Sequence, residues 1–565
     1  MIAGKVLVLG DDTRSFLATV RSLGRQGIAV HVAPNNFRSP ALQSRYIAAT
    51  HELPPWIADG ADWMQAMEAV LRAEFFNLVI PCNETSLLPL QRFRAQFEPL
   101  ARLAIPDDHA IAVLFDKFAT RELARQAGVP VAPGRLLRQD DTAAGILAEF
   151  GAPLVVKPRR SYALDALGSR SKVHIVEDLD SLARVLRVVN PEETLLESFF
   201  PGQGQGVSLV ASQGRVLQAF EHHRVRERSG ASFYRISAPL SPDLLHGCEA
   251  IVRAVPYTGV AMFEFKRNQR GDWILLEVNA RPWGSMPLPL ALGVDFPYRW
   301  YRLLVAGEEI PAVTYRAGVY GRNLLPDLMA SRYEAADRRL GPFAKSWFIA
   351  GRGLELLRGL TGREVQDVLV RDDSRPGLEE LRLIAADMWQ RLTRDLPGAA
   401  ARRRAQVRAA IAQAVRNAGG RPRVVFVCQG NICRSPFAAA LLRARLGAES
   451  AVTVESAGMI PHPGRPTPPF GLQAAAGFGM DLSEHRSVWL TRTMAEAASL
   501  LVGFDEVNRA SVLDRYPDLR APMVLLSDLL DGQDIADPVD GGLTEFQRCY
   551  QRIAEGVANL AGLLR

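Results

Sequence analysis

A short hydrophobic run followed by a polar loop constrains this chain more than any other feature. The run, from Arg423 to Val427, is rich in β-branched residues and predicts a buried strand. The loop Cys428-Gln429-Gly430-Asn431-Ile432-Cys433-Arg434-Ser435-Pro436 follows, and small helix-forming residues continue to Leu446. Cys428 is therefore expected at a strand-to-helix turn, where backbone N–H groups point inward and can cradle an oxyanion.

The residue types in this loop suit phosphoryl transfer. The inward N–H groups favour the thiolate of Cys428, which is the nucleophilic form of cysteine. Arg434 can donate to two phosphoryl oxygens at once, and Ser435 can donate a hydrogen bond to the sulfur. A buried structural cysteine beside a helix cap is the alternative, and the combination of Asn431, Arg434, Ser435 and Pro436 in one loop disfavours it.

The loop resembles the phosphate-binding loop of the low-molecular-weight protein tyrosine phosphatase family, in which Cys-x-Gly-Asn-x-Cys-Arg-Ser-Pro follows a hydrophobic strand. The resemblance covers residues 421–565 and implies a four-stranded parallel α/β domain. It also implies hydrolysis of phosphomonoesters through a phosphocysteine, without a cofactor. The catalytic residues that it implies in the loop are Cys428, Asn431, Arg434 and Ser435.

The same resemblance implies a general acid. The family places this acid in an Asp-Pro loop before the last helix, and Asp537-Pro538 occupies that position. Asp537 would protonate the leaving oxygen and later deprotonate the attacking water, with Asp540 as a near rival. Val539 and Asp540 stand where eukaryotic members carry tyrosines. The sequence therefore supports phosphoester hydrolysis and leaves open whether the substrate is phosphotyrosine or a small phosphoester. His485 is expected to be a structural hydrogen-bonding residue.

The N-terminal part begins as an open α/β sheet. Gly10-Asp11-Asp12 lacks the glycine-rich dinucleotide fingerprint, so no NAD site is predicted. Asn83-Glu84-Thr85 follows a later strand, Asn77 to Pro81, at a position where ligands often bind, and a plain helix cap is an equal alternative. The strand–helix–strand opening that predicts the sheet consists of Lys5–Gly10, Ser15–Gln26 and Ile28–Val32.

A predicted hairpin carries further chemistry. Its strands, Met262–Lys266 and Trp273–Arg281, flank the turn Asn268–Asp272. The two-residue period places Glu277, Asn279 and Arg281 on one face, which Glu264 on the partner strand can reach. Two carboxylates and an amide oxygen are ligands that Mg²⁺ prefers, and Arg281 would then lie beside a transferring phosphate. An edge hairpin with a solvated charged face is the alternative.

Together with upstream residues, this hairpin resembles the ATP-grasp superfamily of carboxylate–amine ligases over roughly residues 1–310. The resemblance implies two α+β lobes that close on ATP, with Mg²⁺ or Mn²⁺ held by Glu264, Glu277 and Asn279. The loop Pro158–Lys172 has only Gly168, whereas the corresponding loop of the family is usually richer in glycine. The implied ATP contacts are Lys117 and Lys157 at the phosphates, Glu197, Ser198 and Phe199 at the adenine, and Arg281 at the phosphoryl group.

Bulk properties limit the remaining possibilities. Net charge is +6 with mixed signs, and the one basic cluster, Arg402–Arg404 with Arg408 and Arg416, is more typical of a solvated helical linker than of a nucleic-acid site. No signal-peptide pattern and no apolar run near 18 residues occurs, so a cytoplasmic protein without a membrane partner is expected. The five cysteines show no metal or disulfide spacing, and none lies between Cys433 and Cys549, which disfavours an arsenate reductase on the same fold.

The sequence thus predicts an α/β multidomain, bifunctional enzyme, since 565 residues exceed one hydrophobic core. The ligase-like part would join a small carboxylate to an amine, and the phosphatase would act on a phosphorylated protein or a small phosphoester. A nucleotide-sensing module that only regulates the phosphatase is the alternative. Trp347 and Trp389 are expected in the core. The predicted domains are 1–110 (pre-ATP-grasp), 111–310 (ATP-grasp), 311–420 (helical extension and linker) and 421–565 (phosphatase).

Overall fold

The structure is a computed structural model of the whole chain. It describes residues 4–57, 59–164, 167, 173–228, 230–337, 341–394, 398–447, 449–516 and 518–564. The chain forms two compact units. The first comprises residues 1–35, 39–54 and 60–382, and the second comprises residues 383–565 with the short segments 36–38 and 55–59. No helix in the described ranges combines the length and hydropathy that crossing a membrane requires.

The first unit opens with a five-stranded, wholly parallel sheet in the order β3-β2-β1-β4-β5. Its elements are β1 (Lys5–Leu9), α1 (Ser15–Arg25), β2 (Ala29–Ala33), β3 (Ile47–Thr50), α2 (Ala61–Ala73), β4 (Leu78–Pro81), α3 (Glu84–Arg92), α4 (Arg94–Phe97) and β5 (Arg102–Leu103). The Asn83 side chain accepts a hydrogen bond from the Ser86 N–H and so caps α3. Glu84 is therefore the first residue of a helix that follows the carboxyl end of β4.

A four-stranded antiparallel sheet follows, in the order β6-β9-β7-β8. Its segment contains α5 (Asp108–Leu114), α6 (Lys117–Gln126), β6 (Gly134–Leu136), α7 (Ala143–Phe150), β7 (Leu154–Pro158), β8 (His174–Val176), α8 (Leu179–Leu186) and β9 (Thr194–Ser198). Asp116 caps α6 by accepting from two backbone N–H groups, which places Lys117 at the first turn of that helix. Lys157 lies near the end of β7, and Glu197 lies on the neighbouring β9.

The largest sheet has seven strands in the order β14-β13-β10-β11-β12-β15-β16. The elements of this segment are β10 (Gln203–Ser212), β11 (Arg215–Arg228), β12 (Ala231–Ala238), α9 (Pro242–Ala254), β13 (Gly259–Arg267), β14 (Trp273–Asn279), α10 (Pro287–Ala291), α11 (Phe296–Tyr301), β15 (Tyr320–Arg322), α12 (Leu324–Asp337), α13 (Pro342–Glu355), β16 (Glu364–Gln366) and α14 (Arg375–Arg394). The predicted hairpin forms, closed by the Asn268 N–H on the Asp272 carbonyl at 2.9 Å.

The segment after residue 310 differs from its sequence-based description. It contributes β15 and β16 to the large sheet, and buried ion pairs hold them there, such as Arg322 with Glu364 at 2.7 Å and Arg235 with Asp367 at 2.6 Å. The expectation that the two tryptophans lie in the core was wrong, because Trp347 is 67% exposed and Trp389 is 69% exposed.

The second unit contains a four-stranded parallel sheet in the order β18-β17-β19-β20, which confirms the predicted fold class. Ile411, fully buried, joins the Ala/Arg-rich helix α15 to the core of this unit. The Phe437 and Tyr550 rings stack at 3.9 Å and pack α16 on the last helix. The elements are α15 (Ala399–Asn417), β17 (Arg423–Cys428), α16 (Arg434–Leu446), β18 (Thr453–Gly458), α17 (Pro469–Ala476), α18 (Arg492–Ala497), β19 (Leu500–Gly503), α19 (Glu506–Arg515), β20 (Met523–Leu525) and α20 (Leu543–Leu564).

Candidate active sites

Cys428 ends β17, and its sulfur faces hydrogen-bonding groups. The Asn431 N–H donates to Cys428 Sγ at 3.2 Å, and Ser435 Oγ lies 3.0 Å from the same sulfur. Cys428 is 2% exposed, so these contacts are shielded from water. The sulfur therefore has a backbone N–H and a hydroxyl within hydrogen-bonding distance.

Asn431 holds the loop in shape. Its φ is 51°, a left-handed value that asparagine tolerates better than most residues. Its side chain donates to Ser435 Oγ at 2.8 Å and Ser456 Oγ at 3.0 Å, and it accepts from the Val488 N–H at 2.7 Å. His485 Nε2 lies 2.7 Å from the Asn431 carbonyl, which only accepts, so Nε2 is the donor. Burial lowers the pKa of His485 and favours its neutral form.

Arg434 connects the loop to two acidic residues. Its guanidinium is 1% exposed and donates from Nη1 to Asp505 Oδ2 at 2.5 Å and from Nη2 to Asp537 Oδ2 at 2.5 Å. Burial opposes its charge, but the nearby Asp537, Cys428 and Asp505 keep the pKa of Arg434 above its usual value. The structure therefore brings together all five residues that the phosphatase resemblance implies as catalytic, since Cys428, Asn431 and Ser435 bond one another and Arg434 bonds Asp537.

Two further residues of this site were missed from the sequence. Asp505 follows β19, a neighbour of β17, so a carboxylate after that strand is placed at the same sheet edge as Cys428. Arg465 comes from the loop after β18 and donates to the Gly430 carbonyl at 2.8 Å. The parallel strand order is the signal that would have located Asp505, whereas nothing in the sequence distinguishes Arg465 from other loop arginines.

The hairpin of the large sheet brings the predicted metal ligands together. Glu264 and Glu277 are direct partners in the register of β13 and β14. The Asn279 amide donates to Glu264 Oε1 at 3.1 Å and to Glu277 Oε1 at 3.5 Å. Burial raises the pKa of Glu264, and the charge of Glu277 adds to this, while Arg224 opposes both from 2.5 Å. Two facing carboxylates, of which Glu264 is buried and Glu277 half-buried, attract a cation.

This donor set fits Mg²⁺ by its chemistry. Carboxylate and amide oxygens are hard ligands, and the remaining positions around Mg²⁺ are usually filled by water or phosphate. Within the described ranges, no group of three His, Cys, Asp or Glu side chains is arranged to hold a metal, so the amide of Asn279 is needed as the third donor. Arg224, which the sequence did not indicate, pairs with Glu264 and balances its charge.

Two of the predicted phosphate contacts, Lys117 and Arg281, lie beside the predicted metal ligands. Lys117 Nζ donates to Ser161 Oγ at 2.8 Å, and both residues line one cavity with Glu277 and Asn279. Arg281 donates from Nη2 to Asn279 Oδ1 at 3.1 Å and to Glu84 Oε1 at 3.1 Å. Glu84 lines the same cavity, so of its two sequence-based interpretations, ligand site and helix cap, the structure permits both.

The remaining predicted nucleotide contacts lie on the paired strands β7 and β9 and directly after β9. Lys157 forms a buried ion pair with Glu197 at 2.6 Å. The Ser198 hydroxyl donates to the Phe150 carbonyl at 3.4 Å, and Lys266 Nζ lies 4.9 Å above the Phe199 ring. Gly168, the one glycine of the loop after β7, lies outside the described residues.

Comparisons with known proteins find two family matches in this chain. A family model described as low molecular weight phosphotyrosine protein phosphatase matches residues 423–565, and one described as ATP-grasp in the biosynthetic pathway with Ter operon matches residues 190–321. The probable low molecular weight protein-tyrosine-phosphatase EpsP of Ralstonia nicotianae is 37% identical over 134 residues, which are 24% of this chain and 90% of that protein.

Relatives of the N-terminal part are more distant. A D-alanine--D-alanine ligase of Synechococcus is 29% identical over 218 residues, and the match covers 34% of this chain and 64% of the ligase. The structure of N5-carboxyaminoimidazole synthetase from Staphylococcus aureus, complexed with ADP, is 15% identical with a TM-score of 0.47, and the match covers 59% of this chain and 86% of that one. The two resemblances are confirmed: this chain is an enzyme that carries an ATP-grasp, ligase-like domain, and through residues 423–565 it belongs to the low molecular weight phosphotyrosine protein phosphatase family.

Proposed function

We propose that the second unit hydrolyses phosphomonoesters through a phosphocysteine at Cys428. One observation supports this most strongly: Arg434 of the Cys428 loop donates directly to Asp537 at 2.5 Å. The nucleophile, the cation that would hold the phosphoryl group and the general acid therefore belong to one connected site. The substrate is a phosphorylated protein or a small phosphoester, and no cofactor is required.

The proposed hydrolysis has two steps. In the first, the Cys428 thiolate forms a bond to phosphorus, the ester P–O bond breaks, and Asp537 gives its proton to the leaving oxygen. Arg434 and the loop N–H groups hold the phosphoryl oxygens. In the second, Asp537 takes a proton from water, the water oxygen bonds to phosphorus, and the S–P bond breaks. Ser435 donates to the sulfur as it leaves.

The Arg434–Asp537 contact has a place in this scheme. The Arg434 guanidinium donates from Nη2 to Asp537 Oδ2. A bound phosphoryl dianion would compete for the same N–H group. Substrate binding would therefore loosen this contact and leave the Asp537 carboxyl free to meet the leaving oxygen.

Hydrolysis of p-nitrophenyl phosphate by the full chain tests this proposal. Cys428→Ser is expected to reduce kcat by roughly 10⁴-fold or more, because the sulfur nucleophile is lost. Cys549→Ser removes another buried cysteine of the same domain and is expected to keep activity, provided that its thermal unfolding shows an intact fold. Activity that survives Cys428→Ser removes the proposed nucleophile.

For the first unit, we propose ATP-dependent joining of a carboxylate to an amine. The supporting observation is the cavity that Lys117, Glu277 and Asn279 line together. Glu264, Glu277 and Asn279 would hold Mg²⁺ or Mn²⁺, which when bound neutralises phosphate charge. Lys117 and Arg281 would hold the phosphoryl group that passes to the carboxylate, and Lys157, Glu197, Ser198 and Phe199 would contact the rest of the nucleotide. An amine would then displace phosphate from the acyl phosphate.

A screen for ADP release separates this function from nucleotide sensing. Cys428→Ser protein is incubated with Mg-ATP and pairs of carboxylates and amines, so that the phosphatase does not hydrolyse phosphorylated compounds. A ligase is expected to release ADP only with a matching pair. Nucleotide binding without any substrate-dependent ADP release, across the screen, favours the regulatory alternative. We also propose the predicted domain limits and a cytoplasmic location. In the cytoplasm, the thiol of Cys428 would stay reduced.

A further inference from the structure

An apolar cavity of about 330 Å³ lies beside the predicted nucleotide site. Its walls come from helix α3, from helix α5 with the residue that follows it, and from residues 160–164 after β7. Most of its surface is hydrocarbon, contributed by Leu88, Ile111, Ala112, Phe115 and Leu164. Small-molecule sites in proteins typically begin at about this volume and combine apolar walls with a few placed polar groups. We call it the apolar cavity below.

The apolar cavity is continuous with the predicted metal face. Glu84, Phe115 and Ser161 line both the apolar cavity and the neighbouring one that holds Lys117, Glu277 and Asn279. Glu84 Oε1 accepts from Arg281 at 3.1 Å, and Arg281 also donates to Asn279 at 3.1 Å. Glu84 therefore stands between the apolar walls and the place where Arg281 would hold a phosphoryl group.

The charges around the apolar cavity favour a ligand that carries an ammonium. The carboxylate of Glu84 attracts an ammonium and repels a second carboxylate. The cations Lys117 and Arg281 lie on the metal-face side of Glu84, where an acyl phosphate would form. Arg160, at another part of the rim, is 55% exposed in its side chain and already lies 3.7 Å from Asp116. A molecule with an ammonium at Glu84 would place its hydrocarbon against the apolar walls.

We propose that the apolar cavity binds the hydrocarbon group of the amine substrate and that Glu84 binds its ammonium. This inference rests on the proposed ligase function and names its amine as one carrying a branched or aromatic group, of about the size of a leucine or phenylalanine side chain. For the reaction, the ammonium would lose a proton to the Glu84 carboxylate. The amine nitrogen would then form a bond to the carbonyl carbon of the acyl phosphate, and phosphate would leave.

The probe is L-leucinamide, a cation with an isobutyl group, titrated calorimetrically into the full chain loaded with Mg²⁺ and a non-hydrolysable ATP analogue. L-alaninamide lacks three carbons of that group and is expected to bind about 50-fold more weakly if the group is fully buried. 4-Methylpentanamide keeps the hydrocarbon but has no ammonium, and about tenfold weaker binding is expected.

Two variants locate the binding. Glu84→Gln is expected to weaken L-leucinamide about tenfold and to leave 4-methylpentanamide unchanged. Ala112→Phe adds a ring to the wall, with about tenfold weaker L-leucinamide binding expected, whereas His109→Phe adds the same ring on α5 at an exposed residue outside the lining and should change nothing. Unfolding temperatures verify that each variant folds.

No L-leucinamide binding at millimolar concentration, equal affinity for L-alaninamide, or insensitivity to both Glu84→Gln and Ala112→Phe overturns the inference. Binding of the nucleotide analogue is measured separately. Failure of the analogue to bind would count against the proposed ligase function. Loss of size and charge selectivity with nucleotide binding intact would count against the apolar cavity alone.

Discussion

The loop around Cys428 and the face around Glu277 are both built to meet phosphate, and they are organised in opposite ways. In the loop, four of the five proposed catalytic residues come from one short stretch of chain, and neutral groups hold three of them, Cys428, Asn431 and Ser435. Arg434 is the exception, because the carboxylates of Asp505 and Asp537 hold it. On the face, the residues come from five separate segments, and charged side chains hold one another, as Lys157 does with Glu197 and Arg224 with Glu264.

Because of this difference, the loop can receive an anion with little rearrangement, whereas the face must rearrange to bind a nucleotide. The loop N–H groups need no new conformation to receive an anion, and only the Arg434–Asp537 contact has to change. On the face, a nucleotide and its metal ion would have to replace several ion pairs, which costs desolvation and reorganisation that ligand contacts then offset. We therefore expect the loop to depend on a few residues strongly and the face to spread its dependence more widely.

After Cys428→Ser itself, the largest effect should come from the one distant member of the loop site, Asp537. Asp537→Asn removes the proton donor, and kcat is expected to fall about 10²-fold for p-nitrophenyl phosphate and about 10³-fold or more for phenyl phosphate. The loss grows because phenoxide is a poorer leaving group and needs the proton more. Steady-state kinetics with both esters measures the ratio.

Asp540 supplies the matched control for this prediction. It lies in the same loop, three positions on, and Asp540→Asn is expected to keep both rates within about twofold of the parent, since its loss removes no proton donor from the Arg434 site. If Asp540→Asn reproduces the dependence on leaving group, the acid has been assigned to the wrong carboxylate.

The next largest effect concerns the face. Glu277→Ala removes one of the two facing carboxylates, and the affinity for Mg-ATP is expected to fall about 10- to 100-fold. Glu249→Ala on α9 removes a carboxylate that lines neither cavity and should leave the affinity unchanged. Isothermal titration in the presence and absence of Mg²⁺ measures the effect. Unchanged Mg-dependent affinity in Glu277→Ala would refute the metal assignment.

The two regions also differ in how much of each could be predicted from the sequence. The Cys428 loop could be predicted because its residues are neighbours in the chain, so strand, turn and helix fix their positions locally. Glu264 and Glu277 could be predicted because a hairpin with period two makes them face each other. Asp505 and Arg224 could not, since each meets its partner only through the order of strands in a sheet.

A signal for Arg224 does exist in the sequence, although reading it requires the strand order. Gly204 and Gly206 alternate on β10, which lies between the hairpin and β11. A Cβ atom at Gly204 would lie 2.7 Å from Arg224 Cδ, so the glycine leaves the space that lets this side chain cross to Glu264. The strands β15 and β16 were missed for a similar reason, because three-residue strands carry no readable period and pair with distant chain.

A smaller effect should distinguish strain from hydrogen bonding in the loop. Asn431→Gly keeps a residue that tolerates positive φ but loses the side-chain bonds to Ser435, Ser456 and Val488, and a loss of about 2 kcal/mol in the unfolding free energy of this unit is expected. Asn431→Ala adds the left-handed strain and should lose about 1 kcal/mol more. Thermal unfolding of both variants, with kcat, measures the difference. Equal stability of the two variants would show that strain is unimportant here.

The smallest expected effect is a pH dependence of stability that differs between the two units. Burial, together with the charge of Asp367, raises the pKa of Glu380 to about 7, from a usual value near 4.5. The folded first unit therefore holds this proton more tightly than the unfolded chain, so its stability falls as pH rises from about 4.5 through 7. Glu380→Gln removes this penalty and is expected to stabilise the first unit by about 1–2 kcal/mol at pH 8 and by almost nothing at pH 4.5.

The phosphatase unit should respond to pH in the opposite sense, because the lowered pKa of His485 makes its stability fall as pH drops below about 6.5. Hydrogen exchange of β16 peptides, compared between Glu380→Gln and the parent at each pH, isolates the first unit. Glu379→Gln serves as the control: Glu379 is a neighbouring carboxylate whose pKa is lowered by its hydrogen bond to Arg382, so its effect should be constant from pH 5 to 8. A gain from Glu380→Gln that is equally large at pH 4.5 would show that volume or hydrogen bonding, and not the buried charge, limits stability there.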